Sequence, residues 1–195
     1  MLKVGITGLM GSGKSYISSI FLSLGIPIYN SDERARWVNN NIPELREKII
    51  KEFGDVYTEG ILDRKKLKNI VFITSGEYQL EKLNSLVRPY VFKDFINFCD
   101  ENSDSPFILA ESALLFESNM TNYLDKIIFV DVPYDIRLDR TIKRDSIDKD
   151  EYDNRMRNQI SSDEKIKRSD FVIDNSTYES KVEVVKNIYN ILVNK

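Results

Sequence analysis

The stretch GLMGSGKS, residues 8–15, directly follows the apolar run LKVGIT, residues 2–7, and decides the fold. It matches the pattern G-x-x-x-x-G-K-[S/T], in which the backbone N–H groups of a glycine-rich turn and of the next helix converge on phosphate oxygens. Lys14 is then expected to reach the β- and γ-phosphates of a nucleotide, and Ser15 a magnesium ion. The alternative is a glycine-rich turn without a ligand. The strand before the stretch and the helix after it favour the phosphate loop, because that motif requires both.

Four more apolar runs of strand length follow along the chain, and helical patterns lie between them. This alternation predicts a three-layer α/β fold with a parallel five-stranded sheet, whose ligands bind at the carboxyl ends of the strands. The further runs are IPIYN (26–30), FILAES (107–112), KIIFVDV (126–132) and FVID (171–174). The polar residues expected at the carboxyl ends are Thr7, Asp32, Glu111 and Asp131.

The helical segments have different expected roles. SYISSIFLSLG (15–25) predicts the helix after the loop, with apolar residues at helical spacing and a terminal glycine. The largely helical stretch 43–103 is too long for one crossover, so we expect an insertion that covers the substrate. Near the carboxyl terminus, residues 178–192 predict one packing helix. Its apolar stripe consists of Tyr178, Val182, Val185, Tyr189 and Leu192.

The segment 143–168 is dense in both acidic and basic side chains and has few apolar ones. It can bury little surface, so we expect a mobile lid over the site, with most of its charges in solvent. The single domain therefore divides into a core of about 1–42, 104–142 and 169–195, the insertion and this lid. Before the lid, Arg137, Arg140 and Arg144 recur on one predicted helix face, where arginines can neutralise a transferring phosphoryl group.

Composition excludes several classes of protein. The chain of 195 residues is 42% hydrophobic and has no run of apolar residues long enough for a membrane span. Cleavage of a secretory leader after the first apolar stretch would destroy the phosphate loop, so we expect a soluble, cytoplasmic protein. Cys99 is the only cysteine and histidine is absent, which excludes an internal disulfide, a multi-cysteine zinc site and a histidine base. The net charge of −3 argues against a nucleic-acid partner.

A phosphate loop alone is compatible with a GTPase, an ATP-driven motor or a small-molecule kinase. No glycine has an aspartate three residues before it, and no Asn-Lys-x-Asp stretch is present, so the marks of a GTPase are missing. A motor normally has a longer chain and partner domains. A kinase for a small acceptor fits this length best.

The order of motifs along nearly the whole chain resembles the dephospho-CoA kinase family. The phosphate loop occurs in many unrelated proteins, but the ordered series is far more specific. The stretches that carry the resemblance are TGLMGSGKS, NSDERAR, GILDRKKL, LNSLVRP, ALLFE, VDVPYDIRLDRTIKRD, RMRNQ and SDFVIDN. The resemblance implies transfer of the γ-phosphoryl group of ATP to the ribose 3′-hydroxyl of dephospho-CoA, the last step of coenzyme A biosynthesis.

The resemblance also implies roles for single residues. Asp32 would accept the proton of the acceptor hydroxyl, with Lys14 and Arg140 offsetting charge on the phosphoryl group, and Ser15 would bind Mg²⁺. The expected nucleotide-binding residues are Gly11, Ser12, Gly13, Lys14, Ser15, Tyr16, Arg144 and Asn175. The expected acceptor-binding residues are Thr7, Asp32, Arg88, Leu114 and Glu117. The partners are two small molecules, and the sequence does not indicate the oligomeric state.

Several positions depart from the family pattern or have a second interpretation. Asn30, Arg88, Ala113 and Arg137 stand where the family usually has aspartate, histidine, proline and glutamine. Asp32 also suits a helix cap without chemistry, and Glu111 is equally explained as a buried structural carboxylate or as the holder of a magnesium-bound water. Two rival functions stay open: a kinase for another acceptor, such as a nucleoside monophosphate, and a nucleotide-binding module without turnover.

Overall fold

The structure, a computed structural model, describes residues 1–73 and 77–194. The strands in chain order are β1 (Leu2–Thr7), β2 (Ile28–Asn30), β3 (Tyr57–Thr58), β4 (Ile61–Leu62), β5 (Phe107–Glu111), β6 (Lys126–Asp131) and β7 (Phe171–Asp174). The α-helices are α1 (Lys14–Ser23), α2 (Ser31–Asn41), α3 (Pro43–Phe53), α4 (Arg64–Ile73), α5 (Glu77–Glu101), α6 (Tyr134–Asp145), α7 (Lys149–Met156), α8 (Ser162–Lys167) and α9 (Val182–Val193).

The chain divides into two compact units, one formed by Met1–Asn30 with Asn102–Lys195 and the other by Ser31–Glu101. The second unit begins earlier than residue 43, where the sequence suggested the start of the insertion. The reason is that α2 packs against α3 and α5 and so belongs with them. The segment 143–168 belongs to the first unit.

The first unit contains a five-stranded sheet in the order β2-β5-β1-β6-β7, and every neighbouring pair is parallel. This confirms the predicted sheet and α/β class. Ile6 and Asn30 both lie in register with Glu111, and Asp131 lies in register with Asp174. The carboxyl ends of the strands therefore meet along one edge, which is the edge where such sheets bind ligands.

The sheet of the first unit packs against a hydrophobic cluster on each face. Towards α1 and α9, fully buried side chains such as Val4, Ile6 and Val130 form one core, in which the rings of Phe21 and Phe107 meet edge to face at 6.0 Å. A second cluster forms around Leu115, with partly buried residues packed against it. Strands that are buried on both faces appear in the sequence as continuous apolar runs, which is why they could be predicted.

The prediction for the last helix is wrong at its start. α9 begins at Val182, and Tyr178 lies before it with 96% of its surface exposed, so this ring does not belong to the apolar stripe. Local hydrogen bonds explain the late start. The Asp174 carboxylate accepts from the N–H of Ser176, and the Ser180 hydroxyl accepts from the N–H of Val182. Such local side-chain bonds compete with helical ones.

The second unit is a helical cluster with a small hairpin, in which β3 and β4 pair antiparallel across Glu59 and Gly60, both with positive φ. Its core contains the fully buried side chains of Val38, Leu45 and Ile49. Partly buried residues of α5 pack against that core. The largely helical character predicted for this part of the chain agrees with the element order.

No helix in residues 1–73 and 77–194 is long and apolar enough to span a membrane.

Candidate active site

The loop of residues 8–15 is pressed closely against its neighbours. Gly11 and Gly13 have φ values of 86° and 83°, a left-handed conformation that glycine adopts without steric cost. A side chain at Gly11 would collide with the carbonyl oxygen of Arg137, and one at Gly13 would lie 2.5 Å from Nδ2 of Asn175. The two glycines are therefore required both by the backbone conformation and by the lack of space.

Lys14 and Ser15 form the first residues of α1, where the sequence placed the phosphate-binding lysine and the metal-binding hydroxyl. The Lys14 ammonium donates a hydrogen bond of 2.9 Å to the carbonyl of Gly8 at the other end of the loop. The first helix N–H groups have no side-chain cap, since the residue before the helix is Gly13. Uncapped N–H groups at a helix start carry partial positive charge and suit a phosphate.

Glu111, the last residue of β5, is buried and accepts a hydrogen bond of 2.6 Å from the Ser15 hydroxyl. The described residues contain no group of three or more acidic, histidine or cysteine side chains that would hold a metal ion by themselves. Mg²⁺ in phosphoryl-transfer sites is usually bound by one or two protein oxygens together with substrate phosphates. The Ser15 hydroxyl with Glu111 behind it fits that donor set.

Asn175 braces the loop from the carboxyl end of β7. Its Nδ2 donates to the carbonyl of Ser12 at 2.8 Å, and its own N–H donates to the carbonyl of Asp131 at 2.9 Å. Thr7 and Ser12 are fully buried, and neither hydroxyl has a hydrogen-bond partner in the described part of the chain. Asn175 thus ties the loop to the sheet edge and holds Ser12 in place through its backbone.

The three arginines of α6 have different surroundings, although the sequence placed them on one face. Arg140 donates from Nη1 to the carbonyl of Asn175 at 3.0 Å, and its guanidinium lies 5.8 Å from the ring centre of Tyr178. Arg144 makes a two-bond pair with the neighbouring Asp145, at 2.7 and 2.9 Å. The hydrogen bonds from Arg144 keep the pKa of Asp145 below its usual range. Arg137 is buried.

The segment 143–168 forms two short helices, α7 and α8, capped by the side chains of Asp148 and Ser161. Two of its side chains, Tyr152 and Lys165, are fully buried. The sequence analysis missed both, because a stretch rich in charge predicts exposure at every position. The only available signal was the aromatic residue itself, since tyrosine buries a large apolar ring.

Lys165 and Glu117 form a buried ion pair at 3.1 Å, and Lys165 also donates to the carbonyl of Ala113 at 2.9 Å. Burial lowers the pKa of the Lys165 ammonium, and the nearby Glu117 opposes this change. Glu117 accepts the N–H of Ile160 as well, at 2.9 Å. Its carboxylate is thus engaged with the 143–168 segment, whereas the nearby Leu114 is exposed.

The remaining predicted residues lie elsewhere. Asp32 is exposed in the first turn of α2, and Arg88 pairs with Glu81 on the same helix, α5, at 2.8 Å. Both belong to the second unit. Tyr16 lies in the first turn of α1 and is partly exposed; its hydroxyl accepts a long hydrogen bond of 3.5 Å from the N–H of Lys181.

Comparison with known proteins decides between the functions that a phosphate loop allows. The family model described as dephospho-CoA kinase matches residues 2–180. The chain belongs to the dephospho-CoA kinase family. It is therefore a kinase, and the loop around Gly11 and Lys14 is the phosphate loop of that family.

Individual relatives agree with this assignment. A dephospho-CoA kinase of Porphyromonas gingivalis is 43% identical over 74% of this chain and 71% of its own length. A crystal structure from Thermus thermophilus is similar with a TM-score of 0.87 and 29% identity, covering 98% of this chain and 97% of the other. A dephospho-CoA kinase from Campylobacter jejuni gives a TM-score of 0.72 and 27% identity, covering 98% of both chains.

Proposed function

We propose that this kinase transfers the γ-phosphoryl group of ATP to the ribose 3′-hydroxyl of dephospho-CoA and so completes coenzyme A biosynthesis. One observation carries the proposal: the phosphate loop, with Lys14 and Ser15 at the start of α1, occurs in a chain of the dephospho-CoA kinase family. In the reaction the bond between the γ-phosphorus and the bridging oxygen breaks, and a bond from the 3′-oxygen to phosphorus forms. The products are ADP and CoA.

The phosphate loop holds the nucleotide in this proposal. The N–H groups of Gly11, Gly13 and the first turn of α1 face the phosphates, and the Lys14 ammonium offsets their charge. Ser12, whose N–H donates to the Leu9 carbonyl at 3.0 Å, keeps the loop in shape. Ser15 would provide the protein oxygen for Mg²⁺, and its hydroxyl donates a hydrogen bond to Glu111. Mg²⁺ held there would neutralise charge on the phosphate oxygens. Arg140, beside Asn175, is the second cation for the transferring group, and Arg144 and Tyr16 belong to the nucleotide side.

The acceptor side rests on the family resemblance more than on geometry. Asp32 takes the proton from the 3′-hydroxyl as the oxygen attacks phosphorus. No histidine is available for this step, since the chain contains none. Arg88 supplies a cation for the phosphates of dephospho-CoA, while Thr7, Leu114 and Glu117 line the acceptor side. The pairing of Glu117 with Lys165 indicates that its role includes holding the 143–168 segment in place.

The two substrates are small molecules, and we place the protein in the cytoplasm. A nucleic-acid partner is not part of the proposal, because acidic residues outnumber basic ones, 31 to 28. The segment 143–168 acts as the lid of the site. The helical residues 43–103 form the part that receives the CoA moiety.

Product analysis tests the proposal directly. Purified protein is incubated with ATP and Mg²⁺ and with either dephospho-CoA or a nucleoside monophosphate, and the products are separated by chromatography. We expect ADP and CoA only with dephospho-CoA, and no reaction when a chelator removes Mg²⁺. Phosphorylation of the nucleoside monophosphate instead would establish a different acceptor. ATP binding without any product would establish a binding module.

A further inference from the structure

Met10, in the middle of the phosphate loop, is held by side chains through both of its backbone polar groups. Its N–H donates to Oε1 of Gln159 at 3.3 Å, and its carbonyl accepts from the hydroxyl of Tyr152 at 3.3 Å. Both side chains come from the segment 143–168, about 140 residues further along the chain. A loop residue whose two main-chain groups are both bound from outside the loop has little freedom to rotate.

A second buried side chain, Arg137, fixes the position of the Tyr152 hydroxyl. It accepts a hydrogen bond of 2.7 Å from Nη1 of Arg137, whose Nε donates to the carbonyl of Val132 at 2.8 Å. Burial raises the pKa of the Tyr152 phenol, and the Arg137 guanidinium opposes this change. The hydroxyl therefore keeps its proton at neutral pH and has it available for Met10. A continuous series of contacts thus runs from the end of β6 through Arg137 and Tyr152 to the loop.

Arg137 is buried. Its polar partners are the carbonyl of Val132, the hydroxyl of Tyr152 and, at 3.8 Å, the sulfur of Met156. A buried charge that lacks hydrogen-bond partners destabilises the folded protein, so losing the hydrogen bond to Tyr152 would lower its stability. This makes the position of the Tyr152 hydroxyl well defined.

Gln159 holds the loop through a second contact. While Oε1 accepts from Met10, Nε2 donates to the carbonyl of Ala113 at 3.4 Å. The side-chain amide therefore bridges the phosphate loop and the segment that follows β5. The side chain of Gln159 is only partly buried, so that a substitution there disturbs the core little.

We propose that Tyr152 and Gln159 are positioning residues for the nucleotide. They fix the peptide groups on both sides of Met10, and this sets the direction of the Gly11 N–H, which belongs to the same peptide group as the Met10 carbonyl. Neither side chain has to touch the nucleotide, because each acts through the loop. The proposal rests on the proposed function for the identity of the ligand as ATP or ADP. Loss of one neutral hydrogen bond of this kind is expected to weaken nucleotide binding about three- to tenfold.

Three single variants of the full chain test this inference. Tyr152→Phe removes only the hydroxyl, and Gln159→Met removes the amide but keeps an unbranched side chain. Tyr134→Phe is the matched control, because the Tyr134 hydroxyl also joins α6 to α7, through Asp153 at 2.7 Å, while phenylalanine keeps the ring that packs edge to face on Tyr152 at 5.7 Å. The measurements are the Kd of ADP with Mg²⁺ by calorimetry, the thermal midpoint without ligand, and KM for ATP.

We expect the Kd of ADP and the KM for ATP to rise three- to tenfold in Tyr152→Phe and in Gln159→Met, and to stay at the wild-type value in Tyr134→Phe. In the double variant the two effects should combine to less than their product, since both act on Met10. Wild-type Kd values in both single variants would overturn the inference, as would an equal rise in Tyr134→Phe. If Tyr152→Phe does not fold, Gln159→Met decides the question.

Binding of ADP does not require dephospho-CoA, so these results separate the inference from the proposed function. A wild-type chain that binds ADP but does not phosphorylate dephospho-CoA would overturn the acceptor assignment alone. The comparison of Kd values between the variants would still confirm or overturn the role of Tyr152 and Gln159.

Discussion

The hydroxyl of Ser15 donates a hydrogen bond of 2.6 Å to the carboxylate of Glu111, which joins the start of α1 to the carboxyl end of β5. The two residues are 96 positions apart in the sequence. This contact brings a neutral and an anionic oxygen donor together beside the phosphate loop. Hard oxygen donors of this kind suit Mg²⁺, and the contact leads to the first prediction.

Glu111→Gln should raise the Mg²⁺ concentration needed for half-maximal activity by about tenfold, because groups that orient a metal ligand are typically worth 10- to 100-fold in metal affinity. The glutamine still accepts a hydrogen bond from Ser15, so the thermal midpoint should change little. Titration of activity with Mg²⁺ measures the effect. An unchanged Mg²⁺ requirement combined with a clear loss of stability would show a buried structural carboxylate instead.

Lys14→Ala should lower turnover by at least about 100-fold, since it removes a charged contact to the β- and γ-phosphates that is worth a few kcal/mol in the transition state. The variant also loses the bond to the Gly8 carbonyl, so the thermal midpoint must be measured beside kcat. Ser19→Ala is the control on the same helix, as its exposed hydroxyl donates to the carbonyl of Tyr16 in the same helix. A fully active Lys14→Ala protein would contradict the role of the loop.

Arg140→Lys should lower kcat while the KM for ATP moves little. The change keeps the positive charge but removes the planar group that now donates to the Asn175 carbonyl. An interaction made in the transition state affects kcat, whereas one made equally in the ground state affects KM. Steady-state kinetics with varied ATP distinguish these cases. A large rise in KM with unchanged kcat would assign Arg140 to ground-state binding.

Glu117→Gln should destabilise the protein by about 3 kcal/mol, because it leaves the buried Lys165 ammonium without its counter-charge. Asp139→Asn is the control, since Asp139 and Lys143 form an exposed pair, for which a loss below about 1 kcal/mol is expected. Urea unfolding at neutral pH measures both. Equal small losses in the two variants would show that the buried pair contributes no more than the surface one.

The lowered pKa of Lys165 leads to a prediction about how the free energy of unfolding depends on pH. Its pKa in the folded protein is lowered from 10.5, mainly by burial, so the unfolded chain binds more protons as pH rises towards 10.5. The free energy of unfolding should therefore increase in this range relative to a Lys165→Met variant, in which the group is absent. Below the folded-state pKa, Lys165 is charged in both states and the difference between the two proteins is constant. A difference that stays constant up to pH 10.5 would contradict the lowered pKa.

Much of the fold could be predicted from the sequence, because strands buried on both faces leave a continuous apolar run. The bounds of β1 and β7 agree with LKVGIT and FVID. The start of α9 could not be predicted in this way. Periodic spacing extended the helix back to Tyr178, but spacing does not register the hydrogen bonds at Asp174 and Ser180 that delay its start.

The residues of the candidate site also differ in whether the sequence could predict them. Residues adjacent in the loop, such as Lys14 and Ser15, were predictable because their spacing alone carries the chemistry. The bond from Tyr152 to Met10 was not, since it depends on where α7 lies after folding. Lys165 was hidden for another reason: its burial is made possible by Glu117, and a pairing between distant charged residues leaves no pattern in the sequence.

Asp32 lies in the first turn of α2, which begins at Ser31. Asn30, not Asp32, is therefore the residue directly before the helix, which argues against Asp32 as a helix cap. In the first turn, the Asp32 carboxylate interacts favourably with the helix macrodipole instead, which is worth about 0.3–1 kcal/mol. Glu33 lies in the same turn and would make a similar contribution. The two acidic residues thus offer a matched comparison, because both act on the helix but only Asp32 is proposed to act on the substrate.

Asp32→Asn should lower kcat by about 10²- to 10⁴-fold, which is the usual contribution of a general base, because the amide cannot accept the proton of the 3′-hydroxyl. Glu33→Gln should leave kcat near the wild-type value. Both variants should lose a similar small amount of stability, since each removes one negative charge from the first turn of α2. ATP should still bind to Asp32→Asn with a Kd close to that of the wild type, because the phosphate loop is intact.

The measurements are kcat with saturating dephospho-CoA, the Kd of ATP and the thermal midpoint for both variants. If Asp32→Asn and Glu33→Gln prove equally active, Asp32 is a helix-stabilising residue and the proton leaves by another route.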